Sequence, residues 1–363
     1  MSKKILHITE STATGVLSIM CGLANSQCNE GNDVFVIYSR RLDTPKNLSN
    51  YFNSKIKLIN IQMVSFMDIL SSFVKIFKLI NEYKPNYIFL HSSYAGFIGR
   101  ITGLFVSKKK LFFYIPHCIS FIRQDIKKFK KIVFIFLEII ASIKKSVIIA
   151  CSKSELTEIR KFIKLSTSIL IENTVSPEYS NLKLNNVRNT NVITVGGIRP
   201  QKDPENFAKI ANEIIKKDKT ISFTWIGDGD DSYKKILTKS GVKVTGWLDP
   251  NDVRKKLLNS MIYLSTAKWE GMPISILEAL ACGLPTVAFN CPGNLDIIKD
   301  REIGYVFDNN SEAVKKILIL INDRNKINDM SINAYQLSNQ KYNLDRYNRE
   351  INDIIKKTEN FPN

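Results

Sequence analysis

Histidine is scarce in this chain, with three in 363 residues. The six cysteines, Cys21, Cys28, Cys118, Cys151, Cys282 and Cys291, contain no C-x-x-C pair. A zinc site or a disulfide framework is therefore not expected, and a reducing compartment fits. Long apolar runs are missing too. The longest, Ile132 to Ile143, is twelve residues with Glu138 inside it, well short of the roughly 20 that span a bilayer. The opening Met-Ser-Lys-Lys-Ile-Leu-His-Ile runs straight into a strand without a signal-peptide core, so the expectation is a cytoplasmic protein. No repeat of solenoid period is visible. The glycine pattern G-x-G-x-x-G is absent as well, which argues against a dinucleotide site.

What is present suits a globular chain. The apolar fraction is 44%, and the length suits two domains of roughly 150–200 residues. Net charge is +18 and unevenly placed: residues 1–180 hold 25 Lys and Arg against 12 Asp and Glu, and residues 181–363 hold 27 against 22. A basic surface seeks phosphate, whether of nucleotide, nucleic acid or anionic lipid. No motif of a nucleic-acid module appears, so nucleic acid is not an expected partner.

The first half reads as alternating strands and helices. Lys3 to Ile8 is a strand, a helix runs from about Val16 to Glu30, and Val34 to Tyr38 is the next strand, a Rossmann-like opening. Only Gly15 stands in the turn between the first strand and its helix. Further strands are expected at 56–61, 85–90, 111–115, 146–150 and 169–171, with a helix from Phe66 to Tyr83 and Ser152 as an N-cap. His117 falls just beyond the strand 111–115, where open α/β sheets bind ligands, and His91 holds a similar place after 85–90. Between Phe121 and Lys145, Arg123 and six lysines interleave with Phe, Ile and Val. That pattern suits either a helix packed on its own sheet or a surface that rests on an anionic bilayer.

The second half repeats the alternation from Asn191. Gly196-Gly197 ends a strand at 191–195, and Arg199 and Lys202 stand just before a helix beginning at Glu205. A helix N-terminus attracts anions; Arg grips phosphate with paired hydrogen bonds and Lys adds a point charge. A strand at 221–226 runs into Gly227-Asp-Gly-Asp, and 242–246 leads into Trp247. Then comes Glu270-Gly271-Met272-Pro273-Ile274-Ser-Ile-Leu-Glu278-Ala-Leu-Ala-Cys-Gly283-Leu-Pro. Two carboxylates lie eight residues apart around a Gly-Met-Pro turn, and the second is expected to open a helix that stops at Gly283. There the macrodipole would hold Glu278 ionised.

This last string closely resembles the E-x7-E signature of the retaining glycosyltransferases of family 4. The resemblance implies a GT-B fold: two facing Rossmann-like domains with a central cleft and a C-terminal helix that crosses back. Boundaries are expected at residues 1–173 for an acceptor-binding domain, 174–190 for a linker, 191–340 for a nucleotide-sugar domain and 341–363 for the returning helix. By resemblance Arg199 and Lys202 neutralise the leaving diphosphate, Glu270 meets the donor sugar, Glu278 holds the ribose hydroxyls, and His117 meets the donor from the first domain. Gly15, Gly197, Gly227, Trp247, Gly271, Met272, Pro273 and Ile274 would line the donor. Asp296 stands where the family usually has Glu. No metal or cofactor is expected, because the cationic clamp takes a divalent ion's place. The implied activity is retaining sugar transfer from a nucleotide sugar to a glycan or lipid-linked glycan, in O-antigen, capsule or other surface-polysaccharide synthesis, at the inner face of the membrane. A sugar-nucleotide epimerase of the same fold, or a membrane- or partner-binding subunit with an inactive donor site, are the alternatives.

Overall fold

The computed structural model describes residues 2–185 and 188–360. The chain divides into two compact units: residues 1–173 with 344–363, and residues 174–343.

The first unit is built on seven parallel strands: β1 (Lys4–Thr9), β2 (Asp33–Tyr38), β3 (Lys57–Asn60), β4 (Tyr87–His91), β5 (Leu111–Ile115), β6 (Val147–Ala150) and β7 (Thr167–Leu170). Their order is β3-β2-β1-β4-β5-β6-β7. Helices cover a parallel sheet on both faces, so its strands read as unbroken apolar runs; every residue of β4 is buried. Phe89 and Phe113 stack at 4.9 Å between centroids across β4 and β5. The helix Phe66–Tyr83 starts at a capping box formed by Ser65 and Asp68, and Ser152 accepts from the Glu155 N–H as expected.

The last helix, Leu344–Asn360, belongs to this unit although some 170 residues separate it from β7. Arg346 donates to the Glu172 and Asn173 carbonyls at 2.8 Å each, and Tyr87 donates to Glu359 at 2.6 Å. Leu344 Cδ1 lies 3.2 Å from where a Cβ on Gly22 would stand, so the two helices pack closely here. Residues 361–363 of the expected returning segment lie outside the described residues.

The second unit carries β8 (Asn191–Val195), β9 (Ser222–Ile226), β10 (Val242–Val244), β11 (Ile262–Ser265), β12 (Thr286–Phe289) and β13 (Gly304–Phe307), all parallel. They run in the order β10-β9-β8-β11-β12-β13. Strand order reverses between β8 and β11, as it does between β1 and β4 in the first unit, and such switch points are where open sheets take ligands. Phe207 packs edge-on against Trp225 at 5.0 Å in the core beneath.

The segment expected as a linker is part of this second unit. Thr174 and Val175 both donate to the Tyr342 carbonyl, at 2.9 Å, and Arg188 donates to the carbonyls of Gly283 and Cys282 at 2.7 and 3.0 Å. Its polar composition reflects these bonds to the unit's own backbone. Residues 186 and 187 of it lie outside the described residues. The unit also runs on to Asn343, through a helix Arg324–Lys341.

Candidate active site

In the second unit, the loops after β8 and β11 meet across the switch point. Lys202, in a short helical turn Pro200–Lys202, places Nζ 2.6 Å from Glu270 Oε1. Gln201 Nε2 donates to the Trp269 carbonyl at 3.0 Å. Thr266 Oγ1 bonds to the carbonyls of Lys202 and Asp203 at 2.7 and 3.0 Å, and the Lys268 N–H donates to the Gln201 carbonyl at 2.9 Å. The two loops are thus laced by backbone, and the ion pair sits on a rigid base. Asp203 then caps the helix Pro204–Lys217, accepting from the Asn206 N–H. Arg199 is exposed at the rim, its guanidinium free of ion pairs among the described residues.

Glycine shapes this floor. A Cβ on Gly196 would lie 3.0 Å from Lys202 Cε, and one on Gly293 would lie 2.5 Å from the Glu270 carbonyl oxygen. Gly293 therefore sets how deeply Glu270 can sit, a role that sequence reasoning missed. Gly197 lies beside Trp247, whose ring is 3.7 Å from the site of a Gly197 Cβ, and Trp247 is half exposed. Gly227, expected at the donor, meets a backbone packing demand. Its φ is +140°, a Cβ there would strike the Gly196 carbonyl at 2.1 Å, and its N–H donates to the Gly246 carbonyl at 3.0 Å. In the same turn Asp228 pairs with Lys234 at 2.7 Å and Asp230 accepts from Ser232, so both carboxylates serve the helix that follows.

Gly271, Met272, Pro273 and Ile274 are buried under the loop, and the helix runs Ile274–Ala281 with Pro273 at its cap and no capping side chain. Glu278 does not open this helix. It lies in the second turn, beyond the reach of the terminal dipole, so the expectation that it is held ionised there is corrected. Desolvation pushes its carboxyl up to about 8. The side chain is half-buried and has no hydrogen bond or ion pair among the described residues.

In the first unit, Gly15 is the second residue of the helix Thr14–Asn29, which begins two residues earlier than expected, and Ala13 at the cap contributes no side-chain bond. His117 lies two residues past β5 with φ +60°. Its Nε2 is 3.1 Å from Nδ1 of His91. Glu10, Arg41 and Ser92 form a second polar cluster at the carboxyl edge of the sheet, with Glu10 3.0 Å from Arg41 and accepting from Ser92.

Comparison with known proteins accounts for the second unit. Residues 177–337 match the family model "Glycosyl transferases group 1". The chain carries a group 1 glycosyltransferase domain. The group 1 domain holds Arg199, Lys202, Glu270 and Glu278, all four of the residues on which the family-4 resemblance rests most heavily. Over 315 residues, 80% of each chain, the sequence is 27% identical to the Escherichia coli UDP-Gal:alpha-D-GlcNAc-diphosphoundecaprenol alpha-1,3-galactosyltransferase. Over 86% of this chain and 88% of the other, it is 28% identical to a 41.2 kDa protein in the cps region of Klebsiella pneumoniae. Among solved structures, Anabaena HepE in complex with UDP and glucose superposes with a TM-score of 0.80 at 18% identity, covering 98% of this chain and 100% of the other. The group 1 domain is thus one of the two Rossmann-like units of a GT-B fold.

Proposed function

We propose that the chain transfers a sugar from a UDP-sugar, with retention of anomeric configuration, to a lipid-linked glycan in surface-polysaccharide synthesis. The observation that carries this reading is the pairing of Lys202 with Glu270 at the switch point, with Glu278 eight residues on and its side chain unpartnered among the described residues. Departure of a nucleoside diphosphate leaves a sugar with oxocarbenium character, and the main catalytic task is to stabilise charge on the leaving group. Lys202 and Arg199 supply the positive charge, in place of a divalent ion. In the unliganded site Lys202 neutralises Glu270; an incoming diphosphate takes over Lys202 and releases Glu270 to accept hydrogen bonds from the sugar hydroxyls. Glu278 is desolvated and lacks donors, and two ribose hydroxyls would supply them. The uridine base and the lipid diphosphate acceptor are supported by the named substrate of the Escherichia coli relative and by the UDP in HepE. Retention follows the family-4 resemblance. The test is product analysis: incubation with a UDP-sugar and a polyprenyl-diphosphate-linked sugar should yield an α-linked product by NMR from an α-configured donor. A β-linked product overturns retention, and a changed sugar nucleotide with no transfer would identify an epimerase.

The acceptor reading has its own structural support. In the helix Lys128–Ala141 only Glu138 and Ala141 are fully buried, with Phe134 and Ile135 partly buried against the core. Glu138 pairs inward with the buried Arg100 at 2.5 Å and accepts from Tyr114 at 2.9 Å. Outward it presents Phe129, Ile132 and Phe136, at 75%, 63% and 60% exposure, spaced three and four residues apart as one stripe. Exposed Lys127, Lys128 and Lys130 flank it. An apolar stripe rimmed by lysines fits an anionic bilayer, each lysine adding on the order of 1 kcal/mol. Met67, Leu70 and Val74 of the helix Phe66–Tyr83 are likewise exposed. Docking there would hold the protein at the inner membrane face, where a lipid-linked acceptor lies.

A further inference from the structure

All three histidines of the chain form one hydrogen-bonded row. His7 on β1, His91 at the end of β4 and His117 beyond β5 come from three neighbouring strands of the first sheet. His7 Nδ1 lies 3.0 Å from His91 Nε2, and His91 Nδ1 lies 3.1 Å from His117 Nε2. At the inner end, His7 Nε2 is 2.8 Å from Oε1 of Gln27, on the helix Thr14–Asn29. The rings are nearly parallel, with interplanar angles of 21° and 15°. His7 and His91 are fully buried and Gln27 almost so.

A neutral imidazole has one donor and one acceptor nitrogen, so a bond at one end of the row dictates the next. The Gln27 amide oxygen only accepts, which puts the proton of His7 on Nε2. Its bare Nδ1 then accepts from His91 Nε2–H, and the bare Nδ1 of His91 accepts from His117 Nε2–H. His117 is left with a lone pair on Nδ1. Desolvation keeps the row uncharged at neutral pH: it lowers His7 and His117 to about 4 and His91 well below its ordinary value. A second proton on His7 or His91 would set two N–H groups against each other.

We propose that Gln27, His7 and His91 are positioning residues that fix the tautomer of His117, so that Nδ1 of His117 accepts a hydrogen bond from a substrate hydroxyl and does not donate to phosphate. The second half of this statement rests on the reading of His117 as a substrate-contacting residue. A sugar hydroxyl finds a partner there. A phosphate oxygen meets a lone pair and is disfavoured.

The experiment uses the full chain labelled with 15N-histidine. With three histidines, a long-range 1H–15N correlation spectrum resolves each ring and reports its tautomer. The expected result at pH 7 is three neutral rings, each protonated on Nε2 and bare on Nδ1. Addition of UDP-glucose or the turned-over UDP-sugar should move the His117 Nδ1 resonance upfield by several ppm, as an accepted hydrogen bond does, while UDP alone should not. Gln27→Met should release the row, giving mixed tautomers at His117 and a roughly tenfold fall in kcat/KM for the donor. Gln27→Glu, which still only accepts, should keep the tautomers of the wild type. A proton on Nδ1 of His117, an imidazolium, or wild-type tautomers in Gln27→Met would overturn the relay even if transfer activity stands. Three Nε2–H rings with no response to any UDP-sugar would leave the relay intact and overturn the contact with the substrate.

Discussion

Lys202 Nζ and Glu270 Oε1 stand 2.6 Å apart across the point where strand order reverses in the second sheet. Their side chains are only 15% and 10% exposed, so each is the other's main counter-charge. Removing one partner leaves a poorly solvated charge behind. Lys202→Met and Glu270→Gln should each lower stability, and the double variant should recover about 1–2 kcal/mol relative to the sum of the two. Denaturant titration of all four proteins checks this; additive losses would show that the pair contributes no coupling. Activity should not recover in the double variant, because both roles in transfer are then gone.

Gly293 is the wall behind Glu270. An alanine there would put its Cβ 2.5 Å from the Glu270 carbonyl oxygen, a distance that forces the loop to move. Gly293→Ala should cost about 1–3 kcal/mol through overpacking and lower kcat/KM at least tenfold with the overall circular dichroism unchanged. Wild-type turnover in this variant would mean that the placement of Glu270 is not critical.

On the proposed function, Glu278 should make nucleotide binding depend on pH. Its free carboxyl titrates near 8 because it is desolvated, and ribose hydroxyls would stabilise the carboxylate and expel the proton. Affinity for UDP should therefore rise with pH, by up to about tenfold per unit, and level off above 8. Calorimetry from pH 6 to 9 should show this slope in the wild type and weak, flat binding in Glu278→Gln. The unliganded protein should move the opposite way. A raised carboxyl retains a proton that the unfolded chain has lost, so stability falls as pH rises from the ordinary carboxylate range toward 8.

The histidine row adds an acid limit. Because His7 and His117 titrate near 4 in the folded chain, against an ordinary 6.5, the unfolded chain binds more protons between those values. Stability contributed by the row is present above about 6.5 and is lost as pH falls toward 4. Thermal midpoints across this range should decline more steeply in the wild type than in His7→Phe/His91→Phe, whose buried rings no longer titrate.

The exposed apolar stripe of the helix Lys128–Ala141 predicts membrane docking that is lost without loss of fold. Phe129→Ser with Phe136→Ser should abolish co-sedimentation with vesicles containing phosphatidylglycerol and leave UDP binding unchanged. Binding by the wild type should weaken as salt is raised. Equal sedimentation of both proteins would remove this face from the account.

Much of this architecture was legible from periodicity and turn chemistry. The strands at β5 and β8 and the helix Phe66–Tyr83 begin and end where the apolar pattern and the cap residues place them. The position of Glu278 was misread, because a Pro at the cap gives no side-chain signal and the buried run Ile274-Ser-Ile-Leu reads equally as loop or helix. The segment 174–190 looked like a linker because its polar atoms bond to backbone far along the chain, at Cys282, Gly283 and Tyr342. The packing of Gly293 on Glu270 and the row joining His7, His91 and His117 come from strand order. Chain spacing does not encode strand order: His7 and His91 are far apart in sequence yet lie on adjacent strands.

The most direct test of the central claim is UDP release from a panel of UDP-sugars, with chelator present, by the wild type and by Arg199→Ala, Lys202→Ala and Glu270→Ala. Turnover of one donor by the wild type that survives chelation and falls at least a hundredfold in all three variants is the predicted result. Turnover that vanishes with chelator, or that persists when Lys202 and Glu270 are removed, would contradict the account.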